Sequence, residues 1–204
     1  MKVKVRSLYH SPKGERDIGR WIVGWTFVLG LFYNWKVLKH NFSHEEIWIA
    51  DDNGEFYQPC SCYDKYAGCT ECYLRGRVYL GQCFSSTTRG KANGVRFAAA
   101  QDVLGKHPER WFYIEWECEQ DKLDWAIELA EEETCKEYDY LGISGFIIPF
   151  VGQNKNKWFC SEICDWFKWI CCLYSKTQKK VSPRRSAYLL AKKTGTEPKP
   201  IGEM

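Results

Sequence analysis

The stretch W-F-C-S-E-I-C-D-W-F-K-W-I-C-C-L-Y, residues 158–174, decides how the rest of the chain is read. Cys160, Ile163, Cys164, Phe167, Ile170, Cys171 and Tyr174 recur at the i, i+3, i+4, i+7 spacing of a helix with one apolar face. The pattern begins at Cys160, so it predicts a helix over 160–174 with a cysteine in its first turn. A thiol is an effective nucleophile only as thiolate, and the N–H groups and dipole at a helix N-terminus stabilise that anion. The same N–H groups can hold the oxyanion of an acyl transfer. Cys164, Cys171 and Cys172 read instead as small apolar fillers within the helix, and Cys83, Cys118 and Cys135 fall in ordinary strand and helix patterns. Read alone, Cys160 is either a nucleophile or one more buried filler.

A cysteine nucleophile needs a base, usually histidine, and the chain has 4. His10 lies beside an N-terminal turn, His40 precedes a strand, and His107 stands before Pro108 in a loop. Only His44 falls inside a predicted strand, F-S-H-E-E-I-W-I-A at 42–50, closed by the turn D-D-N-G at 51–54. Alternation puts Phe42, His44, Glu46 and Trp48 on one face. Glu46 is about 6.6 Å along the strand from His44, close enough for a bent carboxylate to orient the imidazole as the third member of a triad. The alternative is a half-exposed strand carrying a polar histidine and a solvated glutamate.

Outward from these two segments, residues 3–8 alternate as an opening strand, and 55–57 are placed to pair back behind the turn as a hairpin. Residues 77–84, 95–97 and 111–118 read as further strands. Residues 17–25, 98–104, 121–136 and 183–190 read as helices, with Ser182-Pro183 opening the last. Strands grouped in the middle with helices towards the ends predict an α+β fold. The expected organisation is a single domain over 1–191 and a flexible tail over 192–204.

With 204 residues, the chain is long enough for one sizeable core. A net charge of +3 creates no global field for nucleic acid. The acidic run at 115–139 and the basic run at 176–193 read as solvated faces, with a nucleic-acid or membrane contact as the alternative for the basic one. Residues 21–33 are apolar, but 13 residues are too few to cross a bilayer; they read as buried structure, or as an interfacial anchor. The count of 11 cysteines is odd, and the N-terminus lacks the apolar core of a signal peptide. These features point to reduced thiols in a cytoplasm.

Five motifs occur in one order: S-H-E-E-I-W-I at 43–49, G-Q-C-F-S-S-T at 81–87, G-V-R-F at 94–97, Y-D at 138–139 and W-F-C-S-E-I-C at 158–164. In this order the chain resembles the circularly permuted, NlpC-type papain-like cysteine hydrolases (YiiX/YebB-like) of bacteria and tailed phages, over about residues 17–190. The resemblance implies a permuted papain-like fold, with a small antiparallel sheet packed on the helix that starts at the nucleophile. It matches Cys160 to the nucleophile, His44 to the base and Glu46 to the acidic residue of S-H-x-E. Glu55, Ser85 and Ser86 compete for that third role, because related folds often draw it from the neighbouring strand. Glu45 stands where the family has a small apolar residue. The implied activity is acyl transfer to Cys160 from an amide in a peptide or peptidoglycan-type substrate, with no catalytic cofactor. If phage-encoded, the protein would work in the host cytoplasm.

Cys60, Cys62, Cys69 and Cys72 form C-x-C-x6-C-x2-C, which reads as an insertion between core strands. Four thiols so close suit a structural tetrahedral zinc; free packing thiols or a redox pair are the alternatives. The rival to the hydrolase reading is a zinc-stapled, aromatic-rich binding module, or an inactive relative of the hydrolase fold.

Overall fold

A computed structural model describes residues 1–12, 42–60, 76–88, 93–140, 156–177 and 181–203. The fold is α+β. Its main sheet contains β1 (Lys2–His10), β2 (His44–Ile49), β5 (Gln82–Thr87), β6 (Gly94–Ala99), β7 (Trp111–Glu119) and β8 (Lys199–Pro200). They lie in the order β6-β5-β2-β1-β7-β8, with every neighbouring pair antiparallel. β3 (Tyr57–Pro59) and β4 (Arg77–Tyr79) form a separate two-stranded ribbon.

Strand alternation sorts the apolar side chains onto two faces. Val5, Tyr9, Ile47, Phe84, Phe112, Ile114 and Trp116 share one core with three helices. These are α2 (Gln120–Glu133), α3 (Cys160–Ile170) and α4 (Pro183–Thr194). On the other face Leu8, Trp48, Cys83 and Trp111 pack with Phe56, Tyr79 and the helix α1 (Ala100–Leu104). β2 therefore sits near the middle of the sheet and is covered on both sides. Its pattern H-E-E-I-W-I is buried throughout except at Ile49, not half-exposed.

Four expectations are corrected. Residues 55–57 do not fold back on β2: the turn closes through Asp51 N–H to Glu55 O, and Tyr57 pairs with Tyr79. The strand expected over 77–84 breaks at Gly81, whose φ of +71° is open to glycine and strained for other residues, giving β4 and β5. The helix expected over 160–174 ends at Ile170, and Cys172 beyond it has φ +59°. The expected flexible tail is docked: α4 runs to Thr194 and stops at Gly195 (φ +71°), β8 pairs with β7, and Ile201 is fully buried beside Trp111. Edge pairing and one large apolar side chain outweigh a Pro- and Gly-rich composition.

The helix expected at 17–25 and the apolar stretch at 21–33 lie outside the described residues, as does most of the cysteine-rich loop. Among the described residues, no helix is long and apolar enough to cross a membrane.

Candidate functional site

His44 opens β2 and is buried, and its Nε2 lies 3.0 Å from Glu46 Oε1. The two side chains meet because residues i and i+2 share a strand face. Arg96 on β6 reaches the same carboxylate, its Nη2 donating to Glu46 Oε1 at 2.9 Å. Burial opposes ionisation of Glu46, but the hydrogen bond with His44 and the Arg96 charge outweigh it and hold the carboxyl below its ordinary range. Trp111 stands edge-on to His44 at 6.2 Å and to His10, the cross-strand partner of His44, at 5.0 Å.

Cys160 is the first residue of α3 and is fully buried. Burial pushes its thiol well up, against the hydrogen bonds that the backbone N–H groups of Glu45 and Ser161 make to its sulfur. Glu45 directly follows His44, so the sulfur rests on the backbone at the end of β2 that carries the imidazole. The strand is open there: the β2–β5 ladder ends at Ile47↔Phe84. Ser85 Oγ instead donates to Glu45 O at 2.7 Å, and Ser86 Oγ to Trp158 O at 2.7 Å. The helix start is held further by Trp158 N–H to Glu137 O, by the Trp158 indole to Glu133, and by the Ser161 hydroxyl to Val181 O.

The body of α3 packs on the face of β2 opposite His44. There Lys168 Nζ donates to Glu45 Oε1 at 2.5 Å and to Ser186 Oγ at 2.7 Å, and Ser186 Oγ donates to Glu45 Oε1 at 2.9 Å. Burial raises the Glu45 carboxyl, while for Lys168 the Glu45 charge overcomes burial and holds the amine protonated. The nearby Tyr9 hydroxyl, also wholly buried, has its pKa raised by that burial and by Glu45.

Of the sequence-selected residues, His44 and Glu46 are brought into direct contact, and Cys160 is placed against the intervening residue. Glu55 is exposed directly after the 51–54 turn, where its N–H bonds Asp51 Oδ1 at 2.7 Å. The Ser85 and Ser86 hydroxyls serve backbone carbonyls, so Glu46 is the third-residue candidate that touches the imidazole. Of the cysteine loop only Cys60 is described: it is buried and its N–H bonds Gly76 O at 2.9 Å. Cys62, Cys69 and Cys72 lie outside the described residues. Among the described residues, no cluster of three or more His, Cys, Asp or Glu is arranged to hold a metal.

Two participants escaped sequence reasoning. Arg96 was visible only as part of G-V-R-F. Lys168 sits at i+8 from Cys160 on the inward stripe of α3, where a cation calls for a buried anion. Glu45, the unexpected charge on the far face of β2, is that anion. Comparison of the chain with protein-family models, with curated proteins and with solved structures finds no match.

Proposed function

We propose that the chain is a cysteine-dependent hydrolase of the permuted papain-like kind, with Cys160 as nucleophile, His44 as base and Glu46 as the residue that orients it. The observation that carries the reading is the His44–Glu46 hydrogen bond at 3.0 Å, on the strand end whose next N–H bonds the Cys160 sulfur. Because Glu46 engages Nε2, Nδ1 is the ring atom that would take the thiol proton. The thiolate then attacks a carbonyl carbon, and N–H groups at the start of α3 hold the developing oxyanion. The imidazolium gives its proton to the leaving amine, and the carbon–nitrogen bond breaks to leave a thioester on Cys160. His44 next deprotonates a water, which attacks the thioester and returns the thiol. Arg96 compensates the Glu46 charge and keeps that carboxylate ionised in a buried site. The substrate class is an amide in a peptide or peptidoglycan-type molecule.

A second reading, an inactive relative of the hydrolase fold, is favoured by one observation: Cys160 is fully buried and its thiol is pushed up. The pH profile of alkylation separates the two. For the hydrolase, a small chloroacetamide labels Cys160 at and below neutral pH, and His44→Ala abolishes the labelling there. For the inactive relative, labelling climbs only above the ordinary thiol range, about pH 8.5, and ignores His44. Equal labelling of Cys160→Ala at neutral pH would sink the nucleophile assignment. A peptide-library screen with the wild-type protein, and Cys160→Ala as blank, then identifies the bond.

A further inference from the structure

Ser85 and Ser86 are adjacent on β5, and both are fully buried. β6 pairs with β5 along its whole length, from Gln82↔Ala99 to Thr87↔Gly94. The ladder of β5 with β2 is shorter and stops at Ile47↔Phe84, whereas β1 stays paired with β2 as far as His44. Beyond that stop, side chains hold β2 on its β5 side. Ser85 Oγ donates to Glu45 O at 2.7 Å, and the Cys164 thiol donates to the same oxygen at 3.6 Å. Cys164 lies one turn along α3 from Cys160, so β5, β2 and α3 converge on the carbonyl between His44 and Glu46. Ser86 reaches the other way: its Oγ donates at 2.7 Å to Trp158 O, two residues before Cys160. Trp158 O also accepts the Asp139 N–H at 3.1 Å. An apolar residue at either serine would fill the space, but only a donor can satisfy these carbonyls and tie β5 to both segments.

We infer that Ser85 and Ser86 are positioning residues: two adjacent hydroxyls that tie the strand bearing His44 and the segment leading into Cys160 to one strand, and so set the separation of the two side chains. Their role rests on the reading of His44 and Cys160 as base and nucleophile. Each acts through a backbone carbonyl rather than on the reacting atoms. Ser85 fixes the Glu45–Glu46 peptide. Its cross-strand partner is Arg96, whose Nη2 donates to Glu46 Oε1 at 2.9 Å. β5 and β6 therefore grip the His44–Glu46 pair by backbone and by side chain together. Ser86 fixes the residue before Phe159, the N-cap of α3. A proton passes between thiol and imidazole only within hydrogen-bond reach, so loosening either tie separates the pair.

The test compares full-length wild type with Ser85→Ala and Ser86→Ala by two measurements. NMR of the histidine side chains reports the tautomer and titration of His44. Chloroacetamide labelling at neutral pH, located by mass spectrometry, reports the rate at Cys160. Ser85→Ala should shift the His44 ring signals and slow Cys160 labelling by about tenfold or more, since a misplacement of about 1 Å can cost about a hundredfold. Ser86→Ala should slow labelling similarly and leave the His44 ring signals at their wild-type positions. Thr194→Ala removes a comparable bond at the end of α4, Thr194 Oγ1 to Leu190 O at 3.0 Å, and should change neither readout. Where an alanine variant fails to fold, the threonine variant at the same position keeps the hydroxyl and should keep both wild-type readouts; a folded threonine variant that loses them would count against the proposal. Unaltered His44 ring signals in folded Ser85→Ala, or wild-type labelling in folded Ser86→Ala, would overturn it. If wild-type Cys160 itself resists the reagent at neutral pH, the nucleophile reading fails. The two ties are then decided by the His44 ring signals in Ser85→Ala and by the Phe159 and Cys160 amide signals in Ser86→Ala, which should move.

Discussion

Lys168 on α3 and Glu45 on β2 form a wholly buried ion pair at 2.5 Å, with both side chains inaccessible to solvent. Two apolar residues of similar volume would suit such a place at least as well, but removing only one partner strands a charge in the core. Lys168→Met alone is therefore expected to cost about 3–5 kcal/mol. The double variant Lys168→Met/Glu45→Leu should recover most of that loss. Denaturant unfolding of both variants and of Glu45→Leu closes the cycle. Additive single costs would show that the pair is not coupled.

Glu46 should make the protein acid-sensitive. Its carboxyl is held below the ordinary value in the folded state, so as pH falls the unfolded chain takes up the proton first. The stabilisation from Glu46 is fully present above the unfolded value, about 4.3, and is lost as pH drops through the folded value. The melting-temperature gap between wild type and Glu46→Gln should narrow steadily below about pH 4.3. A gap that widens in acid would contradict the assigned direction. Arg96→Gln should move this narrowing to higher pH, since it removes a cation that lowers the Glu46 pKa.

Two glycines with similar backbone angles should respond very differently to alanine. At Gly81 (φ +71°) a Cβ would meet Ile49 O at 2.1 Å and Ala50 C at 2.7 Å, and backbone cannot retreat. At Gly54 (φ +79°) a Cβ would meet nothing within 4 Å. Gly54→Ala is expected to cost only the conformational strain, about 1–2 kcal/mol. Gly81→Ala should cost about 3 kcal/mol or more, by chemical denaturation. Equal losses would mean the close approach at Gly81 is relieved elsewhere.

Removal of residues 197–204 should be felt in the core. Ile201 is fully buried, and Lys199 and Pro200 pair with Tyr113 and Phe112. Exposing the isoleucine site alone is expected to cost about 1.5–3 kcal/mol. An unchanged melting temperature would show the segment to be dispensable for stability.

The elements that could be read in advance were those whose periodicity is set by a single face. α2, the first three turns of α3 and most of β7 recur or alternate towards one core, so their positions follow from hydrophobicity. β2 was found as a strand, but its environment was not legible. Its charged positions suit an exposed face equally well until the partners Arg96 and Lys168 are placed against it. The end of the chain misled for a related reason: an edge strand of two residues carries no periodicity, and its stability comes from β7. The His44–Glu46 contact follows from strand spacing alone, whereas the seat of Cys160 against Glu45 depends on the crossing of helix and sheet, which local pattern does not encode.

His44, Glu45 and Glu46 are consecutive, yet they serve opposite sides of one sheet. The start of β2 consequently has a reading phase that length variation cannot preserve. Loss or gain of one residue there would turn Glu45 towards Arg96 and drive His44 into the helix layer beside Lys168, undoing both arrangements at once. Divergent copies of this protein should therefore accumulate insertions in the exposed 51–54 turn and never an odd-numbered one within 44–49. Where Lys168 has been replaced by an apolar residue, the residue following the histidine should have lost its charge as well.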